Sequence, residues 1–150
     1  MPDYLELTAD KFTFRVATDR FYTPQGVWVK AQPDNHVRAG LADYLQQSSG
    51  DVAFASVKPA GTSLVVGVAF AEVETIKTML ELPAPVSGTV VEANPALYLT
   101  PELVNQDPYE KGWLAVIKVT NWEGDRVKLL EPKAYYSVMQ SQVQTDLKKQ

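Results

Sequence analysis

Turn-forming residues interrupt this chain so often that only short elements fit between them. Phe12-Thr13-Phe14-Arg15-Val16 alternates apolar and polar side chains and predicts a strand. Val27–Ala31 and Asn35–Ala39 predict two more, joined by the turn Gln32-Pro33-Asp34-Asn35. Ala42–Gln47 reads as a short helical turn closed by Ser48-Ser49-Gly50, and Val52–Val57 as a fourth strand that stops at Pro59-Ala60-Gly61. Val65–Val73, Thr78–Leu82, Thr89–Glu92 and Trp113–Val119 follow as further strands. Thr100-Pro101-Glu102 predicts the start of a helix that Asp107-Pro108 must cut short. From Pro132 the tail places Tyr136, Met139, Val143 and Leu147 on one stripe of an amphipathic helix, expected over about 131–148. Many short strands at regular spacing predict a mainly β fold, a flattened barrel-like sandwich of antiparallel sheets with short helices and this C-terminal helix.

The chain has 150 residues, enough for one proper core, and is expected to form a single domain over 1–150 with its core between about 20 and 120. Its net charge of −4, with no basic stripe, argues against a nucleic-acid partner. Cysteine is absent, so neither disulfides nor thiolate metal sites are expected. His36 is the only histidine and reads as a solvated side chain rather than a ligand. No serine sits in a nucleophile motif, no glycine-rich phosphate loop is present, and Glu72 and Glu74 read as solvated charges on one strand face. The chain therefore reads as non-catalytic. The start Met1-Pro2-Asp3-Tyr4-Leu5-Glu6 lacks a basic and then apolar leader, and no apolar run reaches the roughly 18 residues of a membrane span. A cytoplasmic, membrane-free and monomeric protein is expected.

Lys77 stands out by position. It lies in Val73-Glu74-Thr75-Ile76-Lys77-Thr78, between the strands predicted at Val65–Val73 and Thr78–Leu82. That places it at the tip of a hairpin, clear of the core, where a modifying enzyme could reach the amine and a tether could sweep freely. An isolated lysine on a turn is ordinarily a solvated charge and nothing more. The segment after it, Pro83-Ala84-Pro85-Val86-Ser87-Gly88-Thr89-Val90, brackets an edge-like stretch with prolines and turns at Ser87-Gly88 into a new strand.

This combination resembles lipoyl- and biotinyl-attachment domains, in which a hairpin lysine is followed at this distance by an A-P-x-x-G-x-V segment. Glu74-Thr75-Ile76-Lys77 is similar to the E-S-V-K pattern around the modified lysine of glycine cleavage system H proteins. Phe21-Tyr22-Thr23 with Val27-Trp28-Val29 resembles the opening strand of that family. Gly40–Gln47 followed by Gly50-Asp51-Val52-Ala53-Phe54 resembles its G-I-T-D-Y-A and G-D-I-V-F segments. Pro101–Asn105, Asp107-Pro108-Tyr109 and Gly112-Trp113-Leu114 match P-E-L-V-N-x-D-P-Y-x-x-G-W-L. The chain departs from the family at Pro24-Gln25-Gly26-Val27, where His-Glu usually precedes the tryptophan, and at Thr78, usually alanine. Its segment from Asp3 to Asp19 is longer than a mature H protein needs.

The resemblance implies a lipoyl-domain-like barrel-sandwich hybrid with lipoate attached covalently at Lys77. It implies a carrier of an aminomethyl group, working with a lipoate-attaching enzyme, glycine decarboxylase, aminomethyltransferase and dihydrolipoamide dehydrogenase. An alternative is an H-protein-like lipoate-binding protein that carries sulfur intermediates among the enzymes of heterodisulfide-reductase-like sulfur oxidation. A biotin carrier is disfavoured because Ile76 and Thr78 stand where biotin carriers usually have methionines. An unmodified interaction module that keeps the fold is the remaining alternative.

Overall fold

The computed structural model describes residues 3–149. Eleven strands and five helices alternate along it, and the strands form three antiparallel sheets among the described residues. The largest sheet has six strands in the order β3-β4-β5-β11-β10-β7: Phe21–Tyr22, Val27–Gln32, His36–Leu41, Ala115–Val119, Gly88–Ala93 and Ser63–Leu64. The second has three strands in the order β6-β8-β9: Val52–Val57, Ala69–Thr75 and Met79–Pro83. These two sheets enclose one core. Val29, Val37, Ile117 and Val90 come from the first sheet, and Phe70, Val73 and Leu82 come from the second. The expected sandwich of antiparallel sheets is therefore the architecture observed.

A separate hairpin, β1 (Tyr4–Ala9) with β2 (Phe12–Ala17), precedes the sandwich and stands apart from both sheets. β4 explains why it stays attached. Val27 and Val29 point into the sandwich core, whereas Trp28 points the other way, into a second cluster. That cluster joins Phe14 and Val16 of β2, Tyr44 of helix α1 (Asp43–Ser49), Tyr109, and Tyr135, Met139 and Val143 of helix α5 (Pro132–Lys148). Trp28 is fully buried, donates its indole N–H to the Pro108 carbonyl at 3.0 Å, and lies under the Arg20 guanidinium at 4.6 Å. Arg20 is also paired with Asp19 at 2.8 Å and donates to the Tyr109 carbonyl. The buried tryptophan thus satisfies its polar atom with the Asp107-Pro108-Tyr109 segment, which gives that motif a structural task.

Three expectations need correction. Val65-Val66-Gly67-Val68 is a turn and not the start of a strand: Val68 N–H donates to the Val65 carbonyl, and β8 begins at Ala69. The stretch at Thr100-Pro101-Glu102 lies in a turn; helix α2 (Ala96–Leu99) ends before it and helix α3 (Leu103–Gln106) begins after it. Between β11 and α5 the chain also forms helix α4 (Trp122–Arg126), to which the sequence assigned no element; its first turn is capped by the Asn121 side chain accepting from Gly124 N–H. On α5 the buried stripe is Tyr135, Met139 and Val143, a strict spacing of four. Tyr135 stacks on Tyr22 with centroids 4.5 Å apart, while Tyr136 sits at the margin and Leu147 is exposed. No helix among the described residues is long and apolar enough to cross a membrane.

Candidate functional site

β8 and β9 form a hairpin whose last strand pair is Glu74 opposite Met79, so Thr75 to Thr78 make the turn. Thr75 organises it. Its backbone N–H donates to the Thr78 carbonyl at 2.8 Å, and its hydroxyl oxygen accepts from the N–H groups of Lys77 and Thr78 at 3.1 and 3.0 Å. The same hydroxyl donates to the Ser49 carbonyl at 2.7 Å, and Ile76 N–H donates to the Asp51 carbonyl at 3.0 Å. The turn is therefore fastened to the segment that links α1 to β6. Thr75→Val keeps the shape but leaves these donors and the Ser49 acceptor without their partner. It is expected to cost about 1–2 kcal/mol, read as a lowered urea midpoint. A midpoint unchanged within error would show that the hydroxyl does not hold the turn.

Lys77 is exposed at the apex, as its flanking strands predict. Its stem passes over Gly50, close enough that a Cβ there would meet Lys77 Cδ at 2.9 Å. Its Nζ donates to the Ser48 carbonyl at 3.2 Å, near the C-terminal end of α1, where cations are favoured. Asn105 builds the floor below. Its side-chain oxygen accepts from Val52 N–H, and its amide nitrogen donates to the Gly50 carbonyl and to Gln46 Oε1. The sequence marked Asn105 only as part of a motif; its task is to pin the loop on which the lysine rests.

Around the hairpin, Ile76 is 76% exposed, and Phe54 and Met79 are exposed on either side of Glu74 in register. Glu72 and Glu74 face solvent together, as read from their spacing. His36 opens β5, its Nδ1 3.3 Å from the Pro33 carbonyl, and no cluster suited to a metal ion occurs among the described residues.

A cleft of about 450 Å³ opens beside the lysine. It is lined by Lys77, Ser48 and Gln47, by the rings of Phe12, Phe14 and Tyr44, and by Val143 and Leu147. Tyr44 donates its hydroxyl to the Asp146 carboxylate; burial first, and then that carboxylate, raises the phenol above its ordinary range and keeps it protonated. These lining residues escaped the sequence reading, because they come from opposite ends of the chain and no local spacing links them.

A two-sheet sandwich that presents a single lysine at the apex of a β-hairpin has the architecture of the lipoyl-domain class. Comparison with known proteins narrows this. The family model described as glycine cleavage H-protein matches residues 20–142. A glycine cleavage system H protein of Thermus thermophilus is 41% identical over 127 residues, covering 85% of this chain and 98% of that one. One from Mycobacterium tuberculosis is 40% identical over 125 residues, covering 80% and 93%. The crystal structure of a glycine cleavage system H protein from Mycobacterium marinum superposes with a TM-score of 0.74 at 32% identity, over 81% of this chain and 97% of that one. The chain belongs to the glycine cleavage H-protein family.

Proposed function

We propose that this protein is a non-catalytic lipoyl carrier of the glycine cleavage system, with lipoate held as an amide on Lys77 Nζ. The observation that carries this reading is the exposed amine of Lys77 at the apex of the β8–β9 turn, in a chain of the H-protein family. The site suits the group. The amine is open to a modifying enzyme, its turn is fastened through Thr75, and a cleft of mixed polar and apolar lining, large enough for a small ligand, lies at its side. When attached, lipoate supplies a dithiolane that accepts an aminomethyl group from one enzyme and yields it to the next. The protein's own part is to position. Thr75 and Asn105 fix the base of the tether, and the flexible arm makes each encounter between partner enzymes effectively intramolecular.

The partners proposed are a lipoate-attaching enzyme, a glycine decarboxylase, an aminomethyltransferase and dihydrolipoamide dehydrogenase, met in the cytoplasm by a monomer acting as one domain over residues 1–150. Exposed Glu72 and Glu74, next to exposed Phe54 and Met79, offer these enzymes an acidic and apolar face beside the lysine. The test is capture from the native host of the protein carrying its arm. Recovery of the glycine-cleaving enzymes supports the aminomethyl cargo. Recovery of sulfur-oxidation enzymes in their place would replace that cargo with sulfur.

A further inference from the structure

We propose that the outward face of the six-stranded sheet, centred on Arg38, is a second docking surface, for a carboxylate-bearing patch on a partner enzyme. It lies on the side of the sandwich away from the sheet that carries Lys77, so it can be held while the lysine is engaged elsewhere. That the partner is an enzyme served by the carrier rests on the lipoyl reading of Lys77; the face itself does not.

Strand alternation builds the face. Val29, Val37, Ile117 and Val90 belong to the sandwich core, so the residues between them point outward. Register sets those residues in two rows. Lys30 stands opposite Arg38, and Arg38 opposite Val116. One pleat further, Gln32, His36, Lys118 and Thr89 stand side by side. Three cations thus come from three adjacent strands, each about 4.8 Å from the next. The second cluster covers this face at Trp28, but beyond it Lys118 is exposed and Lys30 keeps 35% of its side chain in solvent.

Two arginines of this chain lie over tryptophan rings, and they differ. Arg20, over Trp28, is wholly buried and paired with Asp19 at 2.8 Å. Arg38 lies over Trp113 at 4.8 Å, yet its Nε has no hydrogen-bond partner. No carboxylate of the described residues pairs with Arg38 or Lys118. A guanidinium resting on an aromatic face keeps its edge free, and that edge can grip a carboxylate with two parallel hydrogen bonds. The ring holds the fork in place beforehand, which lowers the cost of ordering it on binding.

Charge selects the partner. The outward face of the other sheet carries Glu72, Glu74 and Glu81. This one carries Lys30, Arg38 and Lys118 against Asp19, which Arg20 and Lys30 already share, and Glu92, two strands from Arg38. With a net charge of −4 the chain as a whole repels a long polyanion, whereas a short acidic patch on a folded protein meets the local cations. A second copy would have to offer its Glu72, Glu74 and Glu81, which would cover the surface beside its own lysine. A separate protein is therefore the occupant.

The test needs no arm, because the unmodified full chain carries the face. Titrated at low salt with acetylated hexaglutamate in place of the acidic patch, the Trp113 indole N–H and the backbone amides of residues 30, 36–38 and 116–118 should shift saturably. Lys118→Glu, at an exposed position, should weaken that binding about tenfold, while Lys58→Glu, the same charge change beside the other sheet, should leave it within about twofold. With the lipoylated chain as substrate, Lys118→Glu should raise KM about tenfold for at least one of glycine decarboxylase, aminomethyltransferase and dihydrolipoamide dehydrogenase, with kcat unchanged. Shifts that do not localise, an equal loss from Lys58→Glu, or a KM that moves for no enzyme overturns the docking surface and leaves the carrier reading intact. Binding of phosphatidylserine vesicles in place of the peptide, or a dimer that Lys118→Glu dissolves, also overturns it, in favour of a membrane or a second copy. A wild-type chain that takes no lipoyl mass overturns the carrier reading, and the peptide titration then decides the face alone.

Discussion

Lys77→Ala should leave the fold unchanged and abolish acylation. Incubated with lipoate, ATP and a lipoate-attaching enzyme, the wild-type chain should gain about 188 Da and the variant nothing; a biotinyl group would add about 226 Da instead. The fold is spared because the side chain is exposed and makes one hydrogen bond, to the Ser48 carbonyl. Surface changes of this kind usually move stability by no more than about 0.5 kcal/mol. Lys77→Arg is a sharper control. It keeps the positive charge and a donor toward Ser48, but its guanidinium cannot be acylated under these conditions. If either variant still gains the mass, another lysine is the target and the carrier site has been misplaced. If the wild type stays unmodified with a competent enzyme, the chain is an interaction module that has kept only the fold.

The second large effect is structural. Gly88→Ala should cost about 3 kcal/mol, near the top of the range for overpacked positions. Gly88 opens β10 and pairs with Val119 on one side and Leu64 on the other. A Cβ built there would lie 2.0 Å from the Lys118 carbonyl oxygen and 2.9 Å from its carbon. Both are backbone atoms of β11, the neighbouring strand in the six-stranded sheet, so no rotamer change relieves the clash. With an m value of roughly 1–3 kcal/mol/M, the urea midpoint should fall by at least about 1 M. A fall below about 0.2 M would show that the strands can part there at little cost, and the close approach would lose its meaning.

Gly88 also shows what kind of information the sequence held. Its place eleven residues after Lys77 was legible as part of a resemblance, while the reason only glycine fits was not. The alternating strands at Phe12–Val16, Val27–Ala31 and Val52–Val57 were legible because one face of each meets apolar surface and the other does not, or because both do. Val65–Val68 misled because a β-branched run looks like a strand wherever it falls; tertiary context bends it at Gly67 instead. Strand β1 went unread, since its alternation is only half buried. Spacings of three and four both fit a helical stripe, so the sequence admits Tyr136 as readily as Tyr135, and the ring of Tyr22 selects Tyr135.

The site divides in the same way. The exposed hairpin-apex position of Lys77 was legible from the strands that flank it directly. Its floor and cleft were not, because Asn105 reaches Gly50 across 55 positions and Phe12 and Leu147 line one cleft only through the packing of the hairpin on α5. Such contacts leave no periodic trace.

One strand serves two interiors. Because Val27 and Val29 belong to the sandwich and Trp28 to the cluster beneath the hairpin, β4 acts as a party wall, and neither room can stand open while the other stays shut. Damage to the outer room, even at residues outside the family model's span, should therefore be felt at the lysine beside it.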